Sequence, residues 1–336
     1  MSACHDDRSP VLSIVIPTHQ RSDLLRRCLT SVKAHAPTGT EIIVVDDASP
    51  DESARQVAAE FSGVRLIRLP SRRGFCVAAN RGIEAARAPI VELLNDDTEV
   101  EPGWADAAMA WFHDPKIVAV APLVLRHGSA TPTIDSAGDT YHWGGFAQKR
   151  GNGRALSDFP LEPREVFGAS GSSAFYRRQA ILDVGSFPES FGSYFEDVDL
   201  SFRLRRAGGR IVFDPRSRVW HHVGASHGRS DPALLVQQSR NEELVFWRNM
   251  PGRLLPAAFW VHLGVLAAKS WRRWHEGRLI PFWRGRLQAA AQLPAVLWHR
   301  WSVNRLGTTD ASVAFLDRNW VWPRNRTRRQ DNPKSR

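Results

Sequence analysis

The sequence predicts an α/β domain built on a doubly wound, mainly parallel sheet, followed by a helical, basic, Trp-rich extension. Three observations carry this prediction. Short Val- and Ile-rich runs recur with helical patterns between them, the signature of βα units. These runs lack strict alternation, as strands buried on both faces do. Charge is also segregated. The net +10 resides in residues 251–305, with nine Lys or Arg against the single acid Glu276, and in residues 306–336, with seven against three. Residues 1–250 are left at −2.

Leu12–Pro17 (LSIVIP), Glu41–Asp46 (EIIVVD), Val64–Leu69, Ile90–Leu94 and the longer Ile117–Leu125 read as strands. Leu24, Leu25, Cys28, Leu29 and Val32 make one helical stripe, with Ser22 or Asp23 placed to cap it. Further helices are expected over Asp51–Phe61 and Phe75–Ala86. In such sheets ligands sit at the carboxyl ends of strands. There the sequence places Pro17-Thr18-His19-Gln20-Arg21, Asp46-Asp47-Ala48-Ser49 and Asn95-Asp96-Asp97. Each alone is a turn composition, but three on one sheet edge point to a site.

Several classes are disfavoured. No G-x-G-x-x-G follows the first strand and no G-x-x-x-x-G-K-[ST] occurs, which argues against dinucleotide-binding oxidoreductases and P-loop NTPases. Three cysteines, Cys4, Cys28 and Cys76, without a close pair argue for a reducing cytoplasm and against a disulfide framework. The polar segment 1–10 has no apolar run that would serve as a secretion signal. A basic, Trp-rich end would suit nucleic acid, but the −2 balance of the sheet domain argues against nucleic acid crossing the fold.

The ordered motifs IPTHQR, VVDDAS, RRGFCVAANRG, LLNDDTEV, FGASGSSAFYRR, FEDVDLSFRL and VWHHVGAS resemble the inverting glycosyltransferases of family 2, with the GT-A fold. The closest likeness is to the rhamnosyltransferase-like branch of bacterial cell-surface polysaccharide synthesis. It spans Val11–Arg229, inside a transferase domain expected over 11–250, and continues more loosely to Arg305 through the extension 251–305. The resemblance implies a nucleotide-diphosphate sugar donor (dTDP- or UDP-linked), a lipid-linked or glycan acceptor, and a divalent cation, Mg2+ or Mn2+. It places Pro17, His19 and Arg21 at the base-binding turn, Asp47 on a pyrimidine N–H, Arg73 and Asn80 toward the diphosphate, and Asp96 at the ribose. Asp97 then falls on the metal position of D-x-D, whose first Asp is here Asn95. His221 or His222, with register favouring His221, matches the downstream metal histidine. Asp197, at the N-cap or first turn of a helix, matches the general base, with Glu196 next. Asp199 reads as a structural i,i+4 partner of Arg203. The segment from Arg126 to Pro163 is rich in Gly, Asp and aromatics and is expected to border the acceptor site.

In the extension, Leu254–Ala268 is apolar but too short to span a bilayer. The tryptophans and arginines that follow suit either helices lying in a membrane interface, on the inner face of the cell membrane, or a helical subdomain packed on the sheet. Arg324–Arg336 reads as a disordered tail. The rival functions are transfer of another sugar to polyprenyl phosphate, and a non-catalytic membrane-tethering protein that keeps the fold.

Overall fold

The computed structural model describes residues 10–128, 131–223, 231–304 and 310–318. The expected polar segment 1–10, apart from Pro10, and most of the expected basic tail lie outside the described residues. In chain order the elements are β1 (Leu12–Thr18), α1 (Ser22–His35), β2 (Glu41–Asp46), α2 (Ser53–Ala59), β3 (Val64–Arg68), α3 (Phe75–Ala85), β4 (Ile90–Leu94), β5 (Thr98–Val100), α4 (Trp104–Met109) and β6 (Ile117–Arg126). Then come β7 (Ile134–Ser136), β8 (Asp139–His142), β9 (Phe146–Lys149), β10 (Arg164–Glu165), β11 (Ser173–Arg177), α5 (Arg178–Asp183), α6 (Glu196–Arg206) and β12 (Arg210–His221). The helices α7 (Pro232–Asn249), α8 (Leu255–His275), α9 (Leu279–Ala290) and α10 (Leu293–Asn304) follow, with β13 (Leu316–Asp317) last.

The main sheet runs β10-β12-β6-β11-β4-β1-β2-β3, with β5 on β12 and β7 on β6. Its β4-β1-β2-β3 half is parallel throughout, as the βα repeats require. The other half is mixed. There β11 runs antiparallel between β4 and β6, while β6 and β12 are parallel. Alternate residues of each parallel strand enter opposite core layers. Val15, Ile43, Val45, Val91 and Leu93 pack with α3 and α6; Ile14, Ile16, Ile42, Val44 and Leu94 pack with α1, α2 and α4. That is why these runs show no polar alternation. Helix α3 lies close on β1 because residue 82 is glycine: a Cβ there would stand 2.2 Å from Val15 Cγ1.

Local boundaries differ from expectation in three places. Arg21, not Ser22 or Asp23, holds the N-cap position of α1, and no side chain caps it. The second helix covers only Ser53–Ala59. The described residues between Arg126 and Pro163 carry strands of their own, with β7 on the main sheet and the β8–β9 hairpin forming a second sheet that β13 joins.

The C-terminal helices pack on the sheet domain through one face. Arg286 of α9 pairs with both Glu242 and Glu243 of α7, Lys269 of α8 pairs with Glu242, and His262 of α8 lies 3.2 Å from Glu243. The opposite face is unusual. Of thirteen exposed large apolar side chains among the described residues, eleven lie between Trp260 and Trp301. No helix among the described residues is long and apolar enough to cross a membrane.

Candidate active site

The carboxyl ends of β1, β2 and β4 meet as the topology requires. Thr18 Oγ1 donates to Asp96 Oδ2 at 2.8 Å, and Arg21 Nη1 reaches Asp96 Oδ1 at 3.1 Å and Asp97 Oδ2 at 3.2 Å. Burial lifts the Asp96 carboxyl to about 6, with Arg21 pulling down and Asp97 pushing up. Pro17 is buried in β1 beside Val45. The His19 ring is pinned by Nδ1 to the Asp47 carbonyl oxygen at 2.9 Å. Gln20 and Ala48 adopt positive φ, 56° and 53°, so two of these strand ends carry backbone strain of the kind that gathers at functional sites.

Asp47 is committed to its own loop. Its two oxygens accept the backbone N–H groups of Arg73 at 2.7 Å and Gly74 at 2.8 Å, fastening the turn before α3 to the end of β2. Each oxygen keeps a further lone pair for a ligand. The Arg73 side chain is exposed and lies 3.9 Å from Glu189. Asn80 corrects the expectation of a diphosphate contact. Its amide donates to Phe187 O and accepts from Phe187 N–H, both at 2.9 Å, so it is buried and turned toward the backbone that leads to α6.

Pairing of β5 with β12 sets His221 opposite Thr98, which brings its ring to Asp97. His221 is thus the last residue of a strand, not part of a loop. Its Nε2 lies 3.2 Å from Asp97 Oδ1 and its Nδ1 3.1 Å from Asp135 Oδ2. Burial alone would lower this imidazole, but bonds to Asp135 and Asp97 outweigh it and raise it to about 9. A buried carboxylate oxygen and an imidazole nitrogen facing one another form a donor pair that fits a divalent cation, Mn2+ in particular. His222 turns the other way, to Glu99 at 2.7 Å, and stacks on His127 with ring centroids 4.0 Å apart and planes 26° apart. Glu99, His127 and His222 hold ligand atoms within 4.8 Å of one another. However, near-parallel stacked rings cannot aim in-plane lone pairs at one ion without rotating.

The second half of the site begins at α6. Asp197 lies in its first turn, where Oδ2 accepts the Gly171 N–H and Oδ1 the Val198 N–H, both at 2.8 Å. The FGASGSS segment therefore holds the carboxylate. Burial raises Asp197 above the usual carboxylate range despite these bonds. Glu196 beside it is raised further, by burial and then by the Asp197 charge. Asp199 differs: Arg203 holds it at 2.8 Å, as its spacing predicts, and Arg248 adds a second cation at 2.9 Å.

Sequence reasoning missed four groups. Tyr194 and Phe195 enter α6 with φ of 71° and 68°. The Tyr194 phenol is raised by burial and then by Glu196, and it also feels Arg21, Asp97 and Lys149, so it stands between the two halves. Asp135, Asp139 and Lys149 come from the hairpin region, and burial lifts Asp139 to about 8. The acid-rich run IDSAGDTYHW was a visible signal, but nothing in it named a partner.

Carboxylates at parallel strand ends, a carboxylate–imidazole pair and an acid opening a helix across a mixed sheet define a GT-A glycosyltransferase. Solved structures share the fold. A structure of GalNAc-T7 with UDP, GalNAc and Mn2+ superposes with a TM-score of 0.58 at 21% identity, over 71% of this chain and 48% of that one. The mannosyltransferase PcManGT from Pyrobaculum calidifontis, in complex with GDP-Man and Mn2+, gives 0.53 at 16% identity over 92% and 87%. This chain belongs to glycosyl transferase family 2, whose model matches residues 13–185. Among its relatives, an N-acetylglucosaminyl-diphospho-decaprenol L-rhamnosyltransferase of Mycobacterium tuberculosis is 29% identical over 77% of this chain and 92% of that protein. A pre-mycofactocin glycosyltransferase of the same organism is 30% identical over 62% and 42%.

Proposed function

We propose that this glycosyltransferase inverts the anomeric centre of a nucleotide-diphosphate sugar, with dTDP-rhamnose the leading donor, as it transfers the sugar to a lipid-linked acceptor. The observation that carries the reading is the placement of Asp197. It is a buried carboxylate in the first turn of α6 that accepts the Gly171 and Val198 N–H groups and is still raised above the usual carboxylate range. Asp197 would take the proton of the acceptor hydroxyl as that oxygen attacks the anomeric carbon and the bond to the diphosphate breaks. Arg21 and the strand-end loops would hold the nucleotide. Asp97 and His221 would hold a divalent cation, which supplies Lewis-acid stabilisation of the leaving diphosphate. The named activity of the mycobacterial relative supports both the rhamnose and the lipid-linked acceptor.

The exposed tryptophan face of 260–301, interleaved with Arg272, Arg273, Arg278 and Arg284, supports a further element: residues 251–305 rest on an anionic membrane surface, bringing domain 11–250 to its acceptor. The test of the transfer reading is a thermal-shift screen of nucleotide sugars with and without Mn2+ or Mg2+, followed by transfer of labelled sugar to a polyprenyl-diphosphate acceptor. Stabilisation by no nucleotide sugar under either metal would overturn it.

A further inference from the structure

Residues 126–163 bring buried charge to the metal arm that the transfer step above does not use. Asp135, on β7, is 3% exposed. Its Oδ2 accepts from Lys149 Nζ of β9 at 2.8 Å and lies 3.1 Å from His221 Nδ1. Asn152 Nδ2 donates to the Asp135 backbone oxygen at 2.8 Å, which fixes where the carboxylate stands. Arg126 Nε approaches its Oδ1 at 3.8 Å. A carboxylate this buried is tolerated only when paired, and Lys149 is the pairing cation. Across the ring, His221 Nε2 faces Asp97 at 3.2 Å.

A histidine that donates one ring N–H to a carboxylate presents its other nitrogen as a lone pair in a fixed direction. We propose that Asp135 is the positioning residue of the metal arm: it accepts the His221 Nδ1–H and fixes the ring so that, when a cation displaces the proton between Nε2 and Asp97, the Nε2 lone pair is aimed at the ion, while Lys149 holds Asp135. The inference rests on the reading of Asp97 and His221 as the cation ligands. It gives the β7 and β8–β9 segment a role at the donor side of the site as well as the acceptor side.

The competing role is a strut, a salt bridge joining β7 to β9 that only keeps the region folded. A double-mutant cycle separates the two. Mn2+ alone is titrated into the full chain and followed by electron paramagnetic resonance, with thermal melts in parallel. Asp135→Asn is expected to weaken Mn2+ binding by roughly 10–100-fold, His221→Ala by at least as much, and Asp135→Asn to add less than about twofold in the His221→Ala background. Lys149→Met keeps the carboxylate and should give a smaller loss that also vanishes without His221; it carries the cycle if Asp135→Asn fails to fold. A loss that persists without His221 overturns the proposal, because the effect then travels through the fold. So does unchanged affinity in Asp135→Asn when Asp97→Ala and His221→Ala have lost binding. If Asp97→Ala and His221→Ala both bind Mn2+ normally, the ligand assignment itself falls and this inference with it.

Discussion

Asp197 and Asp199 are two residues apart on one helix and are treated in opposite ways. Asp197 is raised above the usual carboxylate range by burial, because two backbone N–H groups do not match what water would supply. Burial would raise Asp199 too, yet Arg248 and Arg203 hold it well below that range. The contrast extends outward. At the strand ends Asp96 stands at about 6, and on β8 of the second sheet Asp139 stands at about 8. In the C-terminal helices burial is outweighed by His262 and Arg286, and Glu243 falls to about 2. Buried acids fully matched by cations, Asp199 and Glu243 among them, are fixed supports rather than carriers of a proton. Acids left short of positive charge are held ready for a proton or a cation.

The largest effect that tests this contrast should come from Asp197. Asp197→Asn is expected to cut turnover by roughly 10²–10⁴ with donor binding nearly intact, whereas Asp97→Ala should weaken donor binding in its metal-dependent part. Steady-state kinetics and calorimetric donor titrations with and without Mn2+ read the two. Equal loss of donor binding in both variants would show that the roles are wrongly divided.

On the matched side, Arg286→Ala removes one cation from each of two buried glutamates, leaving Lys269 on Glu242 and His262 on Glu243, and should cost about 3 kcal/mol of stability. Denaturant unfolding measures it, and a cost below about 1 kcal/mol would remove this cluster from the structural class.

Glu92 sharpens the comparison through pH. It is fully buried on β4 and is raised to about 8 by burial, against hydrogen bonds from Trp104 and Ser173. The folded chain therefore keeps a proton that the unfolded chain releases above the usual 4.5, and this group's contribution to stability falls as pH rises from 4.5 toward 8. Glu243 has the opposite sign, its contribution being lost as pH falls from 4.5 toward 2. Glu92→Gln should flatten the pH dependence between 5 and 8 by about 1.4 kcal/mol per unit. An unchanged slope in unfolding measured across that range would refute the assignment.

The smallest effect concerns the exposed face. Replacing both Trp271 and Trp274 by Ala should reduce flotation with anionic liposomes by several-fold, and raised salt should then release most of what remains, since the charge contribution is screened. Failure of the intact chain to float with either anionic or neutral liposomes would leave the packed-subdomain reading of these helices standing alone.

The strands of the parallel half were legible because Val and Ile runs buried on two faces leave a composition that little else produces. Register decides which ring faces Asp97: one step along β12 turns His221 toward it and His222 toward Glu99. Asn80 was misread because a helix position does not tell which loop packs over it, and here that loop carries Phe187. The strands β7, β8 and β9 were illegible, being three or four residues each. Asp135 could not be paired with His221 in advance, since their contact joins positions 86 residues apart.

The antiparallel strand β11 imposes an order of events on the growing polypeptide. It fills the gap between β4 and β6, and β12 takes the other side of β6, so neither principal neighbour of β6 exists when β6 is first made. At a synthesis rate of roughly 5–20 residues per second, the interval from the end of β6 to the start of β11 is about 2–10 seconds. During that time β4 and β6 present open, apolar hydrogen-bonding edges, shielded only by what α3, α4 and the short β7 can cover. The strand that joins the two halves of the sheet thus closes the gap between them, while the far edge of β6 stays open until β12 is made.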